Sequence, residues 1–425
     1  EILAQRKASF GSNLRLSYDE PAMFLRGWKT HLFDEWGRPY LDAYNNDPHV
    51  GHSHPRIRNA ALEQLKKLNS NTRYLHPKQS DLAESILSKL PETFKVCYFV
   101  NSGSEANELA LRLAREHTKA KGMITMDHGY FGNTTGAIDI SAYKFNKPGG
   151  VGQPDWLELV EIPDDYRGAY KKEDPNRGEK FAGQINQAIE KLKSKNQNLC
   201  GFIAETFPSV GGQIITPPGY LAEVYRQVRE NGGVCIADEV QTGLGRLGNH
   251  YFGFEYQKVC PDIVVLGKPI GNGHPVGVVA TTKEIANNFD NGIEFFSTFG
   301  GSTLSCAIAN EVIEIVEDES LQSNARKMGE KLKTGLKNLQ NKYDSIGDVR
   351  GMGLFVGIEL IDENGKENTR LCTFVKNRMR DFRILIGSEG PMDNVIKIRP
   401  PLSIELEGIN MIIDTLDAIL EEETI

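Results

Sequence analysis

The sequence predicts an α/β protein: a large domain whose mainly parallel sheet is flanked by helices, joined to a smaller α+β domain. Three observations lead there. Short runs rich in Val, Ile and Phe alternate with amphipathic stretches of helical period. The texture changes after the acidic Glu317-Asp318-Glu319, where shorter helix-like and strand-like segments mix. The 425 residues are 39% hydrophobic and 25% charged, enough apolar surface for a substantial core. With 49 Lys+Arg against 57 Asp+Glu the formal charge is −8, which argues against a nucleic-acid coat or an anionic-membrane binder.

Taken in order, the first 55 residues carry Trp28, Phe33, Trp36 and Gly37 and read as short strands and turns packed with the smaller lobe. Strands are expected at 96–100, 123–126, 199–204, 234–237, 263–266 and 276–280, with helices at 81–90, 104–117, 183–194 and 219–231. Residues 148–183, rich in Gly, Pro and charge, read as a long excursion from the sheet. A helical pattern then runs from about 303 to the acidic triplet. Beyond it come helices near 325–342, 370–381 and 408–421 and strands near 354–360, 383–386 and 395–399. The division is therefore 1–55 as the N-terminal part of the smaller domain, 56–310 as the large domain and 311–425 as the C-terminal part of the smaller one.

Six cysteines, Cys97, Cys200, Cys235, Cys260, Cys306 and Cys372, stand singly, mostly in apolar runs, and read as reduced core residues. No leader combines a basic start with an apolar run, and no apolar segment approaches the ~20 residues that span a bilayer. A cytoplasmic location is the expectation.

Three segments could carry chemistry. Asn101-Ser102-Gly103-Ser104-Glu105-Ala106-Asn107 follows a strand and opens a helix, where free N–H groups and the helix dipole favour an anion such as phosphate. Taken alone, it is first of all a serine-capped helix. Val234 to Ala237 is a buried strand that ends in Asp238-Glu239, at the sheet end where open α/β folds bind ligands. Adjacent residues of an extended chain face opposite ways, so these two acids are not a glycosidase pair. Lys268 ends the apolar run Ile263 to Leu266; a desolvated lysine there forms Schiff bases with carbonyls, whereas a snorkelling surface lysine explains it equally well alone. Together the three describe a pyridoxal phosphate site: a cradle for phosphate, an acid for the ring nitrogen and an amine for the aldehyde.

On these motifs, residues 30–420 resemble the class III aminotransferases of the fold-type I pyridoxal-phosphate superfamily. Within it they are similar to the branch containing alanine–glyoxylate aminotransferase 2 and the ethanolamine-phosphate and phosphohydroxylysine phospho-lyases. The resemblance implies that Lys268 is the Schiff-base lysine and proton shuttle, that Asp238 keeps the ring nitrogen protonated and that Gln241 meets the phenolic oxygen. It implies that Ser102, Gly103 and Ser104 cradle the phosphate, that Tyr130 stacks on the ring and that Glu205 supports the network. Phe131 stands where the family usually has His. Thr298 would reach the phosphate of a neighbouring subunit, which implies a homodimer with shared sites and leaves a tetramer open. The resemblance also implies that residues upstream of Glu1 would form an extra segment rather than part of the site.

Three weaker signals read blandly. Gly243-Leu-Gly245-Arg246-Leu-Gly248 has dinucleotide spacing but is followed by aromatic residues instead of a helix. His49, His52 and His54 lack the partners of a metal site, so no metal is expected. Lys191, Lys193 and Lys195 read as a solvated helix face.

The reaction depends on the substrate walls. Many class III aminotransferases place an acid in a turn that pairs with a C-terminal arginine. Here Val210 holds the acid's position, which would free Arg399 to bind an anion. Asn45-Asn46, Asn69 to Tyr74 and Ile140 to Phe145 are close to the phospho-lyase pattern, with Arg73 a candidate phosphate ligand. Asp47 and Ser302-Thr303 depart from it, and a fixed carboxylate at Asp47 would repel a phosphate. The expected function is aminotransfer from an amine or amino acid, with a second cation facing Asp47, to a 2-oxo acid. The alternatives are phosphate elimination from a phosphorylated amino alcohol and a non-catalytic cofactor-binding module.

Overall fold

The computed structural model describes residues 1–45 and 47–424. At its centre lies a seven-stranded sheet in the order Phe94–Val100, Gly277–Thr282, Ile263–Leu266, Val234–Asp238, Leu199–Glu205, Gly122–Met126 and Leu157–Val160. Every neighbouring pair is parallel except those made by Gly277–Thr282, which runs antiparallel to both its neighbours. Alternate residues feed cores on opposite faces: Ile203 and Ile236 pack with helix Gly103–Thr118, while Phe202 and Cys235 pack with helices Gln184–Ser194 and Tyr220–Glu230. Burial on both faces is why these strands read as unbroken apolar runs.

Leu157–Val160 corrects the sequence reading, because part of the 148–183 excursion is the edge strand of the sheet. Four residues are too short to show a period. The strand also carries buried Glu158, which looks like loop chemistry until its partner is seen: Lys195 lies 2.6 Å away. That lysine is correspondingly not part of a purely solvated face.

A second sheet of four antiparallel strands, Ile346–Met352, Phe355–Leu360, Val395–Ile398 and Gly387–Glu389, is covered by helices Leu321–Lys342, Thr369–Asp381 and Leu406–Thr424. The Ile346–Met352 strand was not anticipated, because Asp348 and Arg350 give it a polar look; both are buried and paired with each other at 3.1 Å. The N-terminal segment forms helix Ile2–Ser9 and strands Phe24–Trp28, His31–Asp34 and Pro39–Asp42. The last of these pairs in parallel with Ile384–Leu385. Helix Thr303–Asp318 runs unbroken through the boundary expected at 310: Cys306, Ala309 and Ile313 pack in the central core, Val312, Ile315 and Val316 in the other. Among the described residues no helix is long and apolar enough to cross a membrane.

Candidate active site

A cavity of about 300 Å³ opens at the carboxyl ends of the Leu199–Glu205, Val234–Asp238 and Ile263–Leu266 strands, against the start of helix Gly103–Thr118. Sheet polarity brings these ends together, as expected for an open parallel sheet.

The helix start is built to leave donors free. Ser102 Oγ accepts from the N–H of Glu105 at 3.1 Å, and the Ser102 carbonyl accepts from Ala106. Among the described residues no group accepts from the N–H of Gly103 or Ser104, and both residues line the cavity. A side chain at Gly267 would sit 3.1 Å from the Gly103 nitrogen. Gly132, at φ +135°, brings its backbone so close that a Cβ would lie 2.4 Å from Ser104 Oγ. Ser104 Oγ in turn accepts from the N–H of Asn133 at 3.0 Å.

Asp238 is buried at the strand end and holds two hydrogen bonds, from Asn107 Nδ2 at 2.7 Å and the N–H of Val240 at 2.9 Å. Burial raises its pKa; these bonds and Lys268 pull it back. Asn107, 1% exposed, also donates to the Phe131 carbonyl at 2.9 Å, and its Oδ1 has no hydrogen-bond partner among the described residues. Sequence reasoning passed over Asn107, although an amide on the face shared by Ala106 and Ala110 was a visible signal. Phe131 is buried and contributes only backbone groups to this network.

Glu239 turns the other way, as extended geometry requires. Its carboxylate accepts from Thr206 Oγ1 (3.0 Å), Thr242 Oγ1 (2.5 Å) and the N–H groups of Gly253 (2.8 Å) and Phe254 (3.0 Å). Burial nevertheless pushes it up to about 7. Glu205 faces the cavity beside Asp238, its partner in strand register. Burial first, then Asp238, holds its carboxyl well above the usual range, and its Oε1 has no hydrogen-bond partner among the described residues.

Lys268 follows the strand at φ +32°, a strained value for a side chain with a Cβ. Its side chain is exposed, but to the cavity that it lines, with protein packed around that cavity. That enclosure lowers its pKa, while Glu205 and Asp238 act to raise it. Tyr130 lines the same cavity, its hydroxyl 3.2 Å from Asn133 Oδ1. Gln241 lines it as well.

The three substrate candidates separate. Asp47 lines the cavity, with burial and Asp42 raising its pKa and Lys268 opposing them. Arg73 lies outside, 3.3 Å from Glu294 and over the Phe296 ring. Arg399, 0% exposed, is not free, contrary to the sequence reading. It donates to Gln213 Oε1 (3.0 and 2.8 Å), Ser209 Oγ (2.9 Å) and Gln241 Oε1 and lies over Phe355. With Val210 in the turn, the guanidinium is bonded to neutral oxygens. Thr298 is exposed and outside this chain's cavity; Asn46 lies outside the described residues. The three histidines go to separate partners, His49 to the Leu244 carbonyl, His52 to Asp42 and His54 to Glu319.

The orphaned oxygens of Glu205 and Asn107, the two open N–H groups and an enclosed lysine beside a buried aspartate fit pyridoxal phosphate. A profile described as "Aminotransferase class-III" matches residues 18–420. "Alanine--glyoxylate aminotransferase 2-like" of Drosophila melanogaster is 44% identical, covering 99% of this chain and 88% of that one. "Ethanolamine-phosphate phospho-lyase homolog 1" of Caenorhabditis elegans is 39% identical, covering 99% and 93%. Among solved structures, a phospholyase from Arthrobacter in complex with phosphoethanolamine superposes with a TM-score of 0.94 at 36% identity, covering 99% of both chains. Similarity of that extent, over the fold and the sequence alike, places this chain in the class-III aminotransferase family as a pyridoxal-phosphate-dependent enzyme.

Proposed function

We propose that the protein is an aminotransferase, moving an amino group from a small amine or amino acid with a second cationic group to a 2-oxo acid. Gly103 and Ser104 would hold the cofactor's phosphate, Tyr130 its ring face, Gln241 its phenolic oxygen and Asp238 its ring nitrogen with the proton on it. Pyridoxal phosphate bound there supplies an aldehyde that takes up the amine and a ring that accepts the electrons of the broken Cα–H bond. Lys268 Nζ, lowered in pKa by enclosure, would take that proton from Cα and deliver it to the carbon that was the cofactor's aldehyde, which leaves the nitrogen with the cofactor.

The observation that carries this reading is Asp47 in the cavity wall. Besides Lys268 the ionisable side chains that line the cavity are Asp47, Glu205, Asp238, Tyr130 and His274, and no arginine among the described residues lines it. With the Glu205 carboxyl holding its proton and Asp238 facing the ring nitrogen, Asp47 is the carboxylate that would attract a second cation on the substrate and disfavour a substrate phosphate beside it. Elimination of phosphate from a phosphorylated amine is the second reading, supported by the Arthrobacter phospholyase with its phosphoethanolamine.

The test is to mix the holoenzyme with phosphoethanolamine, without any 2-oxo acid, and to assay inorganic phosphate. Absent or slow release, with pyruvate-dependent turnover of a diamine, is the expected result; brisk release overturns aminotransfer. In Lys268→Ala, borohydride no longer fixes the cofactor covalently to the protein.

A further inference from the structure

An anion in the Lys268 cavity needs more donors than the helix start provides. The cradle offers the N–H groups of Gly103 and Ser104, and no arginine among the described residues lines the cavity. A phosphate carries three terminal oxygens and a carboxylate two, each with more than one acceptor site, so the acceptors outnumber these donors. His274 lines the same cavity and has no part in the proton transfer at Lys268.

Its place in the wall is fixed from three sides. Asn272, at φ +45°, accepts from the N–H of Val50 at 2.9 Å and donates to the Gly51 carbonyl at 3.0 Å, which ties the loop to the segment that carries Asp47. At the other end, Gly277 enters its strand so close to the phosphate cradle that a Cβ there would lie 2.3 Å from the Ser102 carbonyl oxygen. Gly273, His274, Pro275 and Val276 all line the cavity, so this loop is a wall running from the Asp47 side to the cradle, with His274 inside it.

The third side is the start of helix Thr303–Asp318, where Ser305 Oγ lies 3.0 Å from His274 Nε2. Ser302 caps that helix, accepting from the N–H of Ser305 at 3.2 Å, and gives its own hydroxyl hydrogen to Ser305 Oγ at 2.9 Å. Ser305 is left to give its hydrogen to Nε2, which fixes a neutral ring with its hydrogen on Nδ1. No group among the described residues bonds to Nδ1. Burial lowers the pKa of this imidazole, in keeping with a neutral ring.

We propose that His274 binds an anionic oxygen in the cavity through Nδ1–H, and that the Ser302–Ser305 hydroxyl pair holds it in that tautomer. The oxygen belongs to the cofactor's phosphate or to the anionic end of the substrate, and the hydrogen bond is the same for each. Because the ring is neutral, it serves an anion without cancelling the charge of Asp47. The assignment rests on reading the Lys268 cavity as the catalytic site, and it holds whichever bond breaks there.

His274→Phe keeps a ring and removes both nitrogens. Pyridoxal phosphate and pyridoxal are titrated into the cofactor-free protein and followed by absorbance. Half-saturation of the holoenzyme is measured for pyruvate, for phosphoethanolamine and for a monoamine without an anionic group. The expected result is a loss of about ten- to a hundredfold for an anion, the weight of one hydrogen bond to a charged group, with its counterpart lacking the anion unchanged. Loss for pyridoxal phosphate but not pyridoxal identifies the cofactor's phosphate; loss for pyruvate or phosphoethanolamine but not the monoamine identifies the substrate's carboxylate or phosphate. His274→Asn, whose amide can donate from near the Nδ1 position, should restore most of the affinity. Ser305→Ala, which leaves the histidine in place and frees its tautomer, should lose part of it. Unchanged constants for every anion in His274→Phe, or equal losses for an anion and its counterpart, overturn the proposal. If the wild type takes up no pyridoxal phosphate, the catalytic reading fails instead. Calorimetry with inorganic phosphate then decides the role of His274: binding weakened in His274→Phe supports it, and binding unchanged or absent overturns it.

Discussion

Asp238 keeps its place through donors from two distant parts of the chain, Asn107 on a helix and Val240 on its own turn. Both bonds favour the carboxylate against the burial that would protonate it. Asn107→Leu keeps the volume and removes the donor, so it should raise the Asp238 pKa. A loss of kcat of about tenfold or more, from one charged hydrogen bond, is expected, with the cofactor's absorbance spectrum displaced. Normal kcat and spectrum in a folded Asn107→Leu would remove the asparagine from the site. Asp47 makes the complementary prediction. Asp47→Asn should raise KM about ten- to a hundredfold for a diamine and leave a monoamine unaffected, measured as steady-state kcat/KM for the two donors.

The start of helix Gly103–Thr118 works as an element, because its open N–H groups depend on backbone approaching from outside the helix. Gly132 supplies one approach at φ +135°. Gly132→Ala adds the strain of that conformation to a clash with Ser104, so a stability loss of about 1–3 kcal/mol is expected from denaturant titration. Cofactor affinity should fall with it, read by the concentration needed to restore absorbance. Much of this element was legible in the sequence: small residues after an apolar run marked the helix start, and Asp238 and Lys268 ended strands long enough to recognise. Two of the strands missed share one physical cause. Leu157–Val160 and Ile346–Met352 bury charged residues, and Glu158, Asp348 and Arg350 find partners only after folding. The Arg399 cage was illegible for a related reason, since Ser209 and Gln213 lie 190 and 186 positions away.

At the scale of the whole molecule, the chain's parts are joined through Arg246, the arginine inside the glycine-rich run that resembled a nucleotide motif. Its guanidinium, 0% exposed, donates to the carbonyls of Leu354 (3.1 Å) and Pro400 (2.9 Å) from the C-terminal half and to His49 Nδ1 (3.4 Å) from the N-terminal segment. His49 Nε2 donates back to the Leu244 carbonyl at 2.7 Å. These partners require a neutral imidazole, accepting at Nδ1 and donating at Nε2; a second proton would point at a cation. Burial first, then Arg246, accordingly pushes His49 from 6.5 down to about 3. The folded pKa lies below the unfolded one, so as pH falls the unfolded chain takes the proton first. The stability that depends on a neutral His49 is therefore complete above about pH 6.5 and is lost as pH falls toward about 3. The loss should amount to about 2–3 kcal/mol by about pH 4.5. His49→Gln keeps a donor and an acceptor but does not titrate. Urea midpoints at neutral pH and at about pH 4.5 should fall together for the two proteins from their other groups, with an added drop in the wild type alone. Equal drops would mean that His49 protonates without disturbing Arg246, and the joint between the chain's parts would then have to lie elsewhere.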